Sequence, residues 1–327
     1  MKIAFFGTKE YDKKIFNQIL SEYKHEIKFF RPKLSPETAI MAQSYDAVCG
    51  FVNDIISKET LQILAQNKVK LLLLRCAGYN NVDLEAAKDN QITVLNVPSY
   101  SPEAVAEHTM ALVLSANRKI HKAYNRIKEN NFSLEGLNGI NLHGKVAGII
   151  GTGKIGIAFA KICSGFGMQV VGFDKYKNPD VQGLIEYVEL DELLEKADLI
   201  SLHCPLMDST RYIINKSTIE QMKDGVILVN TSRGGLIKTE DLINGIKANK
   251  FSAVGLDVFE EEANLVFDDH SNDILNTTTV ARLASFPNVV VTSHQGFFTN
   301  EALNSIARTT LNNANEFENN QTLTNQL

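Results

Sequence analysis

Short runs of Val, Ile, Leu and Phe alternate with helix-period segments along almost the whole chain. Such alternation is typical of repeated βα units, which build parallel sheets covered by helices. The 327 residues, of which 44% are hydrophobic, exceed what one hydrophobic core usually serves. The sequence therefore predicts an α/β protein with two domains.

The first series of βα units opens the chain and predicts a small open sheet. Strands are expected near residues 2–7, 47–52, 69–75 and 93–97. A last helix, from Asn300 to about Phe317, is expected to return to this domain. The Asn-rich stretch 312–326 is expected to fray.

The second series begins at Lys145 and predicts a larger, doubly wound sheet. Strands are expected near residues 146–150, 169–173, 199–203, 226–230, 253–258 and 289–292. Before it, Ser101, Pro102 and Glu103 supply a capping hydroxyl, a proline at the first helical position and an acid in the first turn. A helix long enough to link the two domains is therefore expected from there to about Asn125.

A glycine-rich loop follows the apolar strand 146–150 and opens a helix. It consists of Gly151, Thr152, Gly153, Lys154, Ile155 and Gly156. In a dinucleotide site the first glycine permits a tight turn, the second lets the backbone approach a pyrophosphate, and the third lets the helix pack closely on the strand. The pyrophosphate would meet the positive end of the helix. Alone, this spacing is also compatible with an ordinary turn.

Asp174 makes a nucleotide the better interpretation of that loop. It ends the next apolar strand, about 20 residues further on, where a carboxylate can accept hydrogen bonds from both ribose hydroxyls of NAD. The same carboxylate would repel the 2'-phosphate of NADP. The sequence therefore predicts NAD as the cofactor.

Reactive side chains follow later strands of the second series: Arg233, Glu262 and His294. Ligands of such sheets bind beyond the carboxyl ends of the strands, so these side chains can converge on one crevice. Reduction of a 2-keto acid needs a cation for the carboxylate and an acid for the carbonyl oxygen. Singly, each residue is also compatible with a surface or structural role; jointly, beside a nucleotide loop, they favour this chemistry.

With these residues in place, the chain closely resembles the D-isomer-specific 2-hydroxyacid dehydrogenases, and among them the fermentative members that reduce pyruvate to D-lactate. The likeness covers essentially the whole chain, including RCAGYNNVD at 75–83, NVPSYSPE at 96–103, HCPL at 203–206, the glycine loop and the strand-end segments. It implies two doubly wound, Rossmann-like domains. A flavodoxin-like substrate domain, residues 1–100 and 298–327, would be split by a dinucleotide-binding Rossmann domain, residues 101–297.

The resemblance also implies roles for individual residues. Arg233 would bind the substrate carboxylate and polarise the keto oxygen, and His294 would be the general acid and base. Glu262 would pair with the imidazole, and Asp257 would lie near the nicotinamide. Further cofactor contacts are implied for His203, Cys204, Pro205, Thr231 and Ser232.

For the substrate, the resemblance implies a small apolar pocket. Tyr100 would place a hydroxyl on the carboxylate, the backbone N–H groups of Ala77 and Gly78 would do likewise, and Phe51 and Phe297 would surround the pyruvate methyl group. Such a pocket disfavours phosphorylated and dicarboxylic substrates, whose extra charge would stay unpaired. A glyoxylate or hydroxypyruvate reductase, or an NAD-sensing binding protein on the same fold, remain alternatives.

The remaining expectations come from charge and composition. A net charge of -5 without a basic stripe disfavours nucleic acid, and no apolar run approaches the roughly 18 residues of a membrane span. The four cysteines, at 49, 76, 163 and 204, form no C-x-x-C pair, so we expect a cytoplasmic protein without structural metal. By resemblance we expect a homodimer or homotetramer that pairs through the NAD domains.

Overall fold

The chain is described by a computed structural model over residues 1–262, 265–274 and 279–327. Residue contacts divide it into two units. Unit 1 comprises Met1–Ser101 and Phe298–Leu327, and unit 2 comprises Pro102–Phe297. In the described ranges, no helix is both long enough and apolar enough to cross a membrane.

The strands are β1 (Lys2–Phe5), β2 (Glu26–Phe29), β3 (Ala47–Gly50), β4 (Leu71–Leu74), β5 (Thr93–Leu95), β6 (Val146–Ile150), β7 (Gln169–Phe173), β8 (Glu186–Tyr187), β9 (Leu199–Leu202), β10 (Val226–Asn230), β11 (Phe251–Leu256) and β12 (Val289–Val291). The α-helices are α1 (Glu10–Leu20), α2 (Lys58–Gln66), α3 (Leu84–Asp89), α4 (Pro102–Arg118), α5 (Ile120–Lys128), α6 (Lys154–Gly165), α7 (Leu190–Lys196), α8 (Lys216–Gln221), α9 (Thr239–Lys247), α10 (Thr279–Ser285) and α11 (Asn300–Glu318). The predicted α/β class is confirmed.

Unit 1 is built on a parallel sheet in the order β2-β1-β3-β4-β5. This is the flavodoxin-like order, with its switch point between β1 and β3. The four leucines of β4 are fully buried, as a strand covered on both faces requires. α11 packs against α1 and β4, so the predicted return of the last helix is confirmed. β2 was not predicted, because it is an edge strand whose residues alternate between exposed and half-buried.

The segment after α11 is not frayed, so that expectation is wrong. Gln326 pairs antiparallel with Leu95, and the Leu327 N–H donates to Val94 at 3.1 Å. Asn325 accepts from the Asn96 N–H at 3.1 Å and donates to the buried Asn313 at 2.8 Å. The asparagines stabilise the segment because their amides bond to the sheet edge and to each other.

Unit 2 is built on a parallel sheet in the order β12-β11-β10-β9-β6-β7-β8. From the glycine loop outward this is the Rossmann order with one added strand, and its switch point lies between β6 and β9. The predicted strands are present, and β8, which has only two residues, is additional. The carboxyl ends of β6, β9, β10 and β11 therefore share one edge of the sheet.

The linking helix is shorter than predicted. α4 begins at Pro102 as expected but ends at Arg118, because Lys119 has a left-handed φ of 51°. The Lys119 ammonium donates to the Asn138 carbonyl at 2.7 Å. A separate helix, α5, follows with no buried residue. The break separates a buried helix, packed on α6, β10 and β11, from an exposed one.

Candidate active site

The glycine loop makes the tight turn that its sequence predicts. Gly151 has a φ of +96°, and a Cβ there would lie 2.3 Å from the backbone nitrogen of Cys204. A Cβ on Gly156 would lie 2.1 Å from the carbonyl oxygen of Gly151. Both positions therefore require a glycine. Gly151 lies against the backbone that follows β9 across the switch point, and Gly156 lies where α6 packs on the end of β6.

Gly153 differs from the other two glycines of the loop. A Cβ built on it would meet nothing within 4 Å, and the residue is exposed at the N-terminus of α6. No protein atom therefore requires a glycine here. Open space over the positive end of a helix of twelve residues fits the pyrophosphate of a dinucleotide.

Asp174 lies beside this loop, immediately after β7. Its Oδ2 accepts from the backbone N–H of Thr152 at 2.6 Å and from the Thr152 hydroxyl at 3.2 Å. The Thr152 hydroxyl also contacts the hydroxyl of Tyr187 at 2.9 Å. The loop thus fixes the orientation of the carboxylate, and the residues present fit a nucleotide whose ribose hydroxyls are free to donate.

His203, Cys204 and Pro205 follow β9 on the other side of the switch point. Burial lowers the pKa of His203 to about 3, and its Nε2 lies 2.7 Å from the Ser201 hydroxyl. Burial raises the pKa of the Cys204 thiol to about 11, which keeps the thiol protonated. Pro205 is exposed. These residues form a neutral wall next to Gly151.

The turn after β10, residues 230–235, is called here the Arg233 loop. The fully buried Asn230 accepts from the Ser232 N–H at 3.0 Å and donates to the Arg233 carbonyl at 2.9 Å. The Ser232 hydroxyl donates to the Cys204 carbonyl at 2.8 Å. A Cβ on Gly234 would lie 2.2 Å from the backbone of Phe259. The half-buried guanidinium is thus presented by a turn packed on both neighbouring strand ends.

Two glutamates of the acidic run 260–262 bind different partners. Glu260 accepts from the Tyr212 hydroxyl at 2.7 Å and from the Thr239 N–H at 2.8 Å, at the start of α9. Glu262 instead lies 3.0 Å from Nδ1 of His294. Both side chains of the latter pair are largely buried, with 15% and 18% of their surfaces exposed. The predicted pairing of Glu262 with the imidazole is present.

Asp257 anchors the segment 292–297, called here the His294 loop. Its carboxylate accepts from the N–H groups of Gln295 and Gly296 at 3.0 and 2.8 Å, and from the Thr292 hydroxyl at 2.5 Å. Its carbonyl accepts from the His294 N–H at 2.8 Å. Burial by itself raises the pKa of Asp257, but hydrogen bonds from His108 and Thr292 outweigh it and bring the pKa to about 2.

Phe297 ends the same loop and is buried. Its ring lies 6.2 Å from that of Phe267, which in turn lies 5.8 Å from the imidazole of His294. Phe267 therefore lies beside the imidazole, and Phe297 packs against Phe267.

The other residues assigned to the substrate belong to unit 1. Phe51 follows β3 and packs its ring 4.5 Å from the guanidinium of the buried Arg75. Ala77 and Gly78 follow β4, and in the described part of the chain their N–H groups donate to no protein atom. Tyr100 is half-buried just before α4.

Sequence reasoning missed several residues that support these loops: Asn230, Thr292, His108 and Thr109. His108 and Thr109 lie on α4, more than 100 residues before their partners. Asn230 and Thr292 belong to recognised segments, and the preference of Asn and Thr for turns was the available signal. Over the described ranges, no cluster of three or more His, Cys, Asp or Glu side chains is arranged to hold a metal.

Residues 110–296 match the family model described as "D-isomer specific 2-hydroxyacid dehydrogenase, NAD binding domain". The D-lactate dehydrogenase of Escherichia coli K12 is 47% identical over 328 residues, covering 100% of both chains.

Solved structures agree with this match. A structure described as the pyruvate reductase of Chlamydomonas reinhardtii has a TM-score of 0.94 at 40% identity, covering 99% of this chain and 98% of its own. The D-lactate dehydrogenase of Lactobacillus jensenii with NAD+ has a TM-score of 0.85 at 31% identity, covering 100% and 99%. These identities hold over nearly the whole of each chain, so the likeness includes both units.

Proposed function

Because this chain belongs to the D-isomer-specific 2-hydroxyacid dehydrogenase family, and is thus an NAD-dependent oxidoreductase acting on CH–OH groups, we propose that it reduces pyruvate to D-lactate. The observation that carries the proposal is the 3.0 Å contact between the His294 imidazole and the Glu262 carboxylate, on the same sheet edge as Arg233 and the glycine loop. A cation and a paired imidazole are what a 2-keto acid needs at its two oxygen-bearing groups.

In the proposed reaction Arg233 holds the substrate. Its planar fork of donors suits a carboxylate, and its charge polarises the neighbouring keto oxygen. The turn made by Asn230 and the close packing at Gly234 hold the arginine backbone in place. NADH, when bound, supplies the hydride.

His294 delivers the proton. Its Nδ1 faces Glu262, which leaves Nε2 to donate to the keto oxygen as charge develops there. The carboxylate of Glu262 stabilises the charged imidazole before transfer and fixes the direction of the ring. In lactate oxidation the neutral imidazole takes the proton back.

Pyruvate is proposed over larger keto acids because of the residues assigned to the pocket. The N–H groups of Ala77 and Gly78 and the hydroxyl of Tyr100 would bind the carboxylate. Phe51 and Phe297 would surround the methyl group with apolar side chains, which suit a methyl better than a second charged group. The names of the relatives, D-lactate dehydrogenase and pyruvate reductase, support the same choice.

The test is the initial rate of NADH oxidation by the purified protein with pyruvate, glyoxylate, hydroxypyruvate, 2-ketobutyrate and oxaloacetate, followed by chiral analysis of the product. We expect pyruvate to be preferred and D-lactate to be formed. Preference for glyoxylate or hydroxypyruvate would contradict the roles of Tyr100, Phe51 and Phe297 while retaining those of Arg233 and His294. Very slow turnover of every keto acid would favour an NAD-sensing role.

We also propose that the protein is a cytoplasmic homodimer or homotetramer that associates through unit 2. The apolar side chains Ile120, Tyr124 and Ile127 lie on one side of α5 and are 55%, 61% and 52% exposed. Phe132 and Leu134, which follow α5, are 71% and 82% exposed. Exposed apolar surface of this extent is typical of an interface, and a second copy is the partner proposed.

Light scattering after size exclusion tests the assembly. We expect Tyr124→Glu with Ile127→Glu to lower the mass relative to the wild type. Ile274→Glu is the matched control, because that side chain is 95% exposed outside this surface. A wild type that runs as a monomer, or an equal effect of the control, would overturn the proposal.

A further inference from the structure

Two consecutive residues in the middle of α4, His108 and Thr109, reach the two loops that carry the proposed catalytic residues. The His108 imidazole lies 3.2 Å from the Asp257 carboxylate and 3.2 Å from the Thr292 hydroxyl. The Thr109 hydroxyl lies 2.8 Å from that of Thr231. One turn of a single helix therefore contacts both the His294 loop and the Arg233 loop.

The His108 contact acts on the base of the His294 loop. Asp257 and Thr292 are the residues that fix this loop, and the Asp257 carboxylate is 1% exposed. A Cβ on Gly296 would lie 3.1 Å from Asp257 and 3.5 Å from the His108 ring, so the loop packs directly on both. Without the imidazole, the carboxylate would lose a donor where water cannot easily replace it.

The Thr109 contact acts on the Arg233 loop. Thr109 is 0% exposed and donates its only hydroxyl proton to the Val105 carbonyl at 2.7 Å. The Thr231 hydroxyl must then be the donor to Thr109. Since Thr231 is itself 9% exposed and lies two positions before Arg233, removal of its acceptor leaves a buried hydroxyl unpaired at the start of the loop.

We infer that His108 and Thr109 are positioning residues, through which α4 sets the geometry of the general acid and of the carboxylate-binding arginine separately. Neither is assigned a contact with substrate. The inference rests on the proposed roles of His294 and Arg233. It implies different kinetic signatures for the two residues, because one acts on proton transfer and the other on substrate binding.

Thr109→Val tests the contact to the Arg233 loop. We expect the KM for pyruvate to rise by roughly 5- to 10-fold with a smaller change in kcat, since an unpaired buried hydroxyl displaces the arginine. Thr109→Ser, which keeps the hydroxyl, is expected to restore the KM.

Thr310→Val is the matched control for this variant. Thr310 is also buried on a helix, α11, and also donates to the carbonyl four residues earlier, at 2.8 Å from Ile306. Both substitutions therefore remove the same type of hydrogen bond, from a threonine hydroxyl to the carbonyl four residues earlier in the helix. Only Thr109→Val also removes a contact to a catalytic loop. Similar melting temperatures with a raised KM in Thr109→Val alone would support the inference; equal KM values would overturn it.

His108→Leu tests the contact to the His294 loop. We expect kcat to fall by roughly 10-fold or more with little change in the KM for pyruvate, because the general acid loses its alignment. His108→Gln, which can still donate to Asp257, is expected to retain most of the activity. A kcat of His108→Leu within 2-fold of the wild type would contradict the inference.

The wild type is assayed beside these variants with each of the five keto acids. If another keto acid is preferred, the substrate proposal fails, but the variants are then compared on that keto acid, so the positioning roles are still decided. A wild type that turns over none of them would overturn both.

Discussion

The imidazole Nδ1 of His294 lies 3.0 Å from a carboxylate oxygen of Glu262, while the backbone of His294 has a left-handed φ of 51°. A non-glycine residue adopts that conformation only where the surroundings hold it. Here the N–H of His294 donates to the Asp257 carbonyl. The ring is thus oriented from both its side chain and its backbone.

His294→Ala should lower turnover by at least ~100-fold, because proton transfer to the keto oxygen loses its acid. Glu262→Gln should have a smaller effect, since it keeps the shape of the pair but loses the charge that stabilises the imidazolium. Steady-state kinetics with pyruvate check both. Near-normal turnover of His294→Ala would refute its role as the acid.

Arg233→Ala should lower kcat/KM by at least ~100-fold, because both the carboxylate and the developing oxyanion lose their cation. Arg233→Lys should be intermediate, since it keeps the charge without the planar fork. Arg282→Ala, at an exposed position of α10, is the control and should be close to the wild type. Equal losses at both positions would argue against a specific role.

Gly153→Ala should fold normally but bind NADH at least ~10-fold more weakly, because its Cβ meets no protein atom and would occupy the space proposed for the pyrophosphate. Gly156→Ala should instead lower the melting temperature, since its Cβ would lie 2.1 Å from a backbone oxygen. Gly165→Ala, at the end of the same helix with open space around it, is the control. Calorimetry and NADH titration separate the two effects; unchanged NADH affinity of Gly153→Ala would count against the site.

Asp174→Gly should lower the preference for NADH over NADPH at least ~10-fold, because the carboxylate that would repel a 2'-phosphate is removed. Asp180→Ala removes a nearby exposed carboxylate and should leave the preference unchanged. The ratio of kcat/KM for the two nucleotides is the measurement. If it does not move in Asp174→Gly, another residue selects the nucleotide.

His203 should make the folded chain sensitive to mild acid. Its pKa is about 3 in the folded chain, whereas an unfolded histidine titrates near ~6.5. Between these two pKa values the unfolded chain therefore binds more protons than the folded chain. The free energy of unfolding of the protein then falls as the pH drops below about 6.5. From pH 7 to pH 5 this residue should account for roughly 1–2 kcal/mol.

His203→Gln supplies the comparison, because an amide can still bond to the Ser201 hydroxyl but does not titrate. Urea unfolding at both pH values should show a shallower pH dependence in this variant. Parallel curves for the two proteins would show that the imidazole is not held neutral by burial.

Local features could be predicted from the sequence. The glycine loop, Asp174 and the strand-end positions of Arg233 and His294 each depend on a strand followed at once by a turn, which a short window contains. The strands β2 and β8 were not predicted because short edge strands carry little apolar periodicity. The helix break at Lys119 was not predicted because a lysine does not indicate a turn.

The supporting contacts could not be predicted, for a different reason. His108 and Thr109 are 149 and 122 residues from Asp257 and Thr231, and no spacing in the sequence encodes which helix face meets which loop. The ordered C-terminal tail could not be predicted either. Its asparagines are typical of a solvent-exposed stretch, and the sequence does not show that Asn325 donates a hydrogen bond to Asn313.

The order of the two units along the chain bears on how the protein is made. Unit 2 is one continuous segment, Pro102–Phe297, whereas the core of unit 1 needs α11 from beyond it. During synthesis, unit 2 is complete on the ribosome while α1 and β4 still expose the apolar surface that Ala307, Leu311 and Ala314 later cover. The N-terminal unit is therefore the later one to be finished, and it is through the uncovered apolar surface of α1 and β4 that the nascent chain is exposed to chaperones.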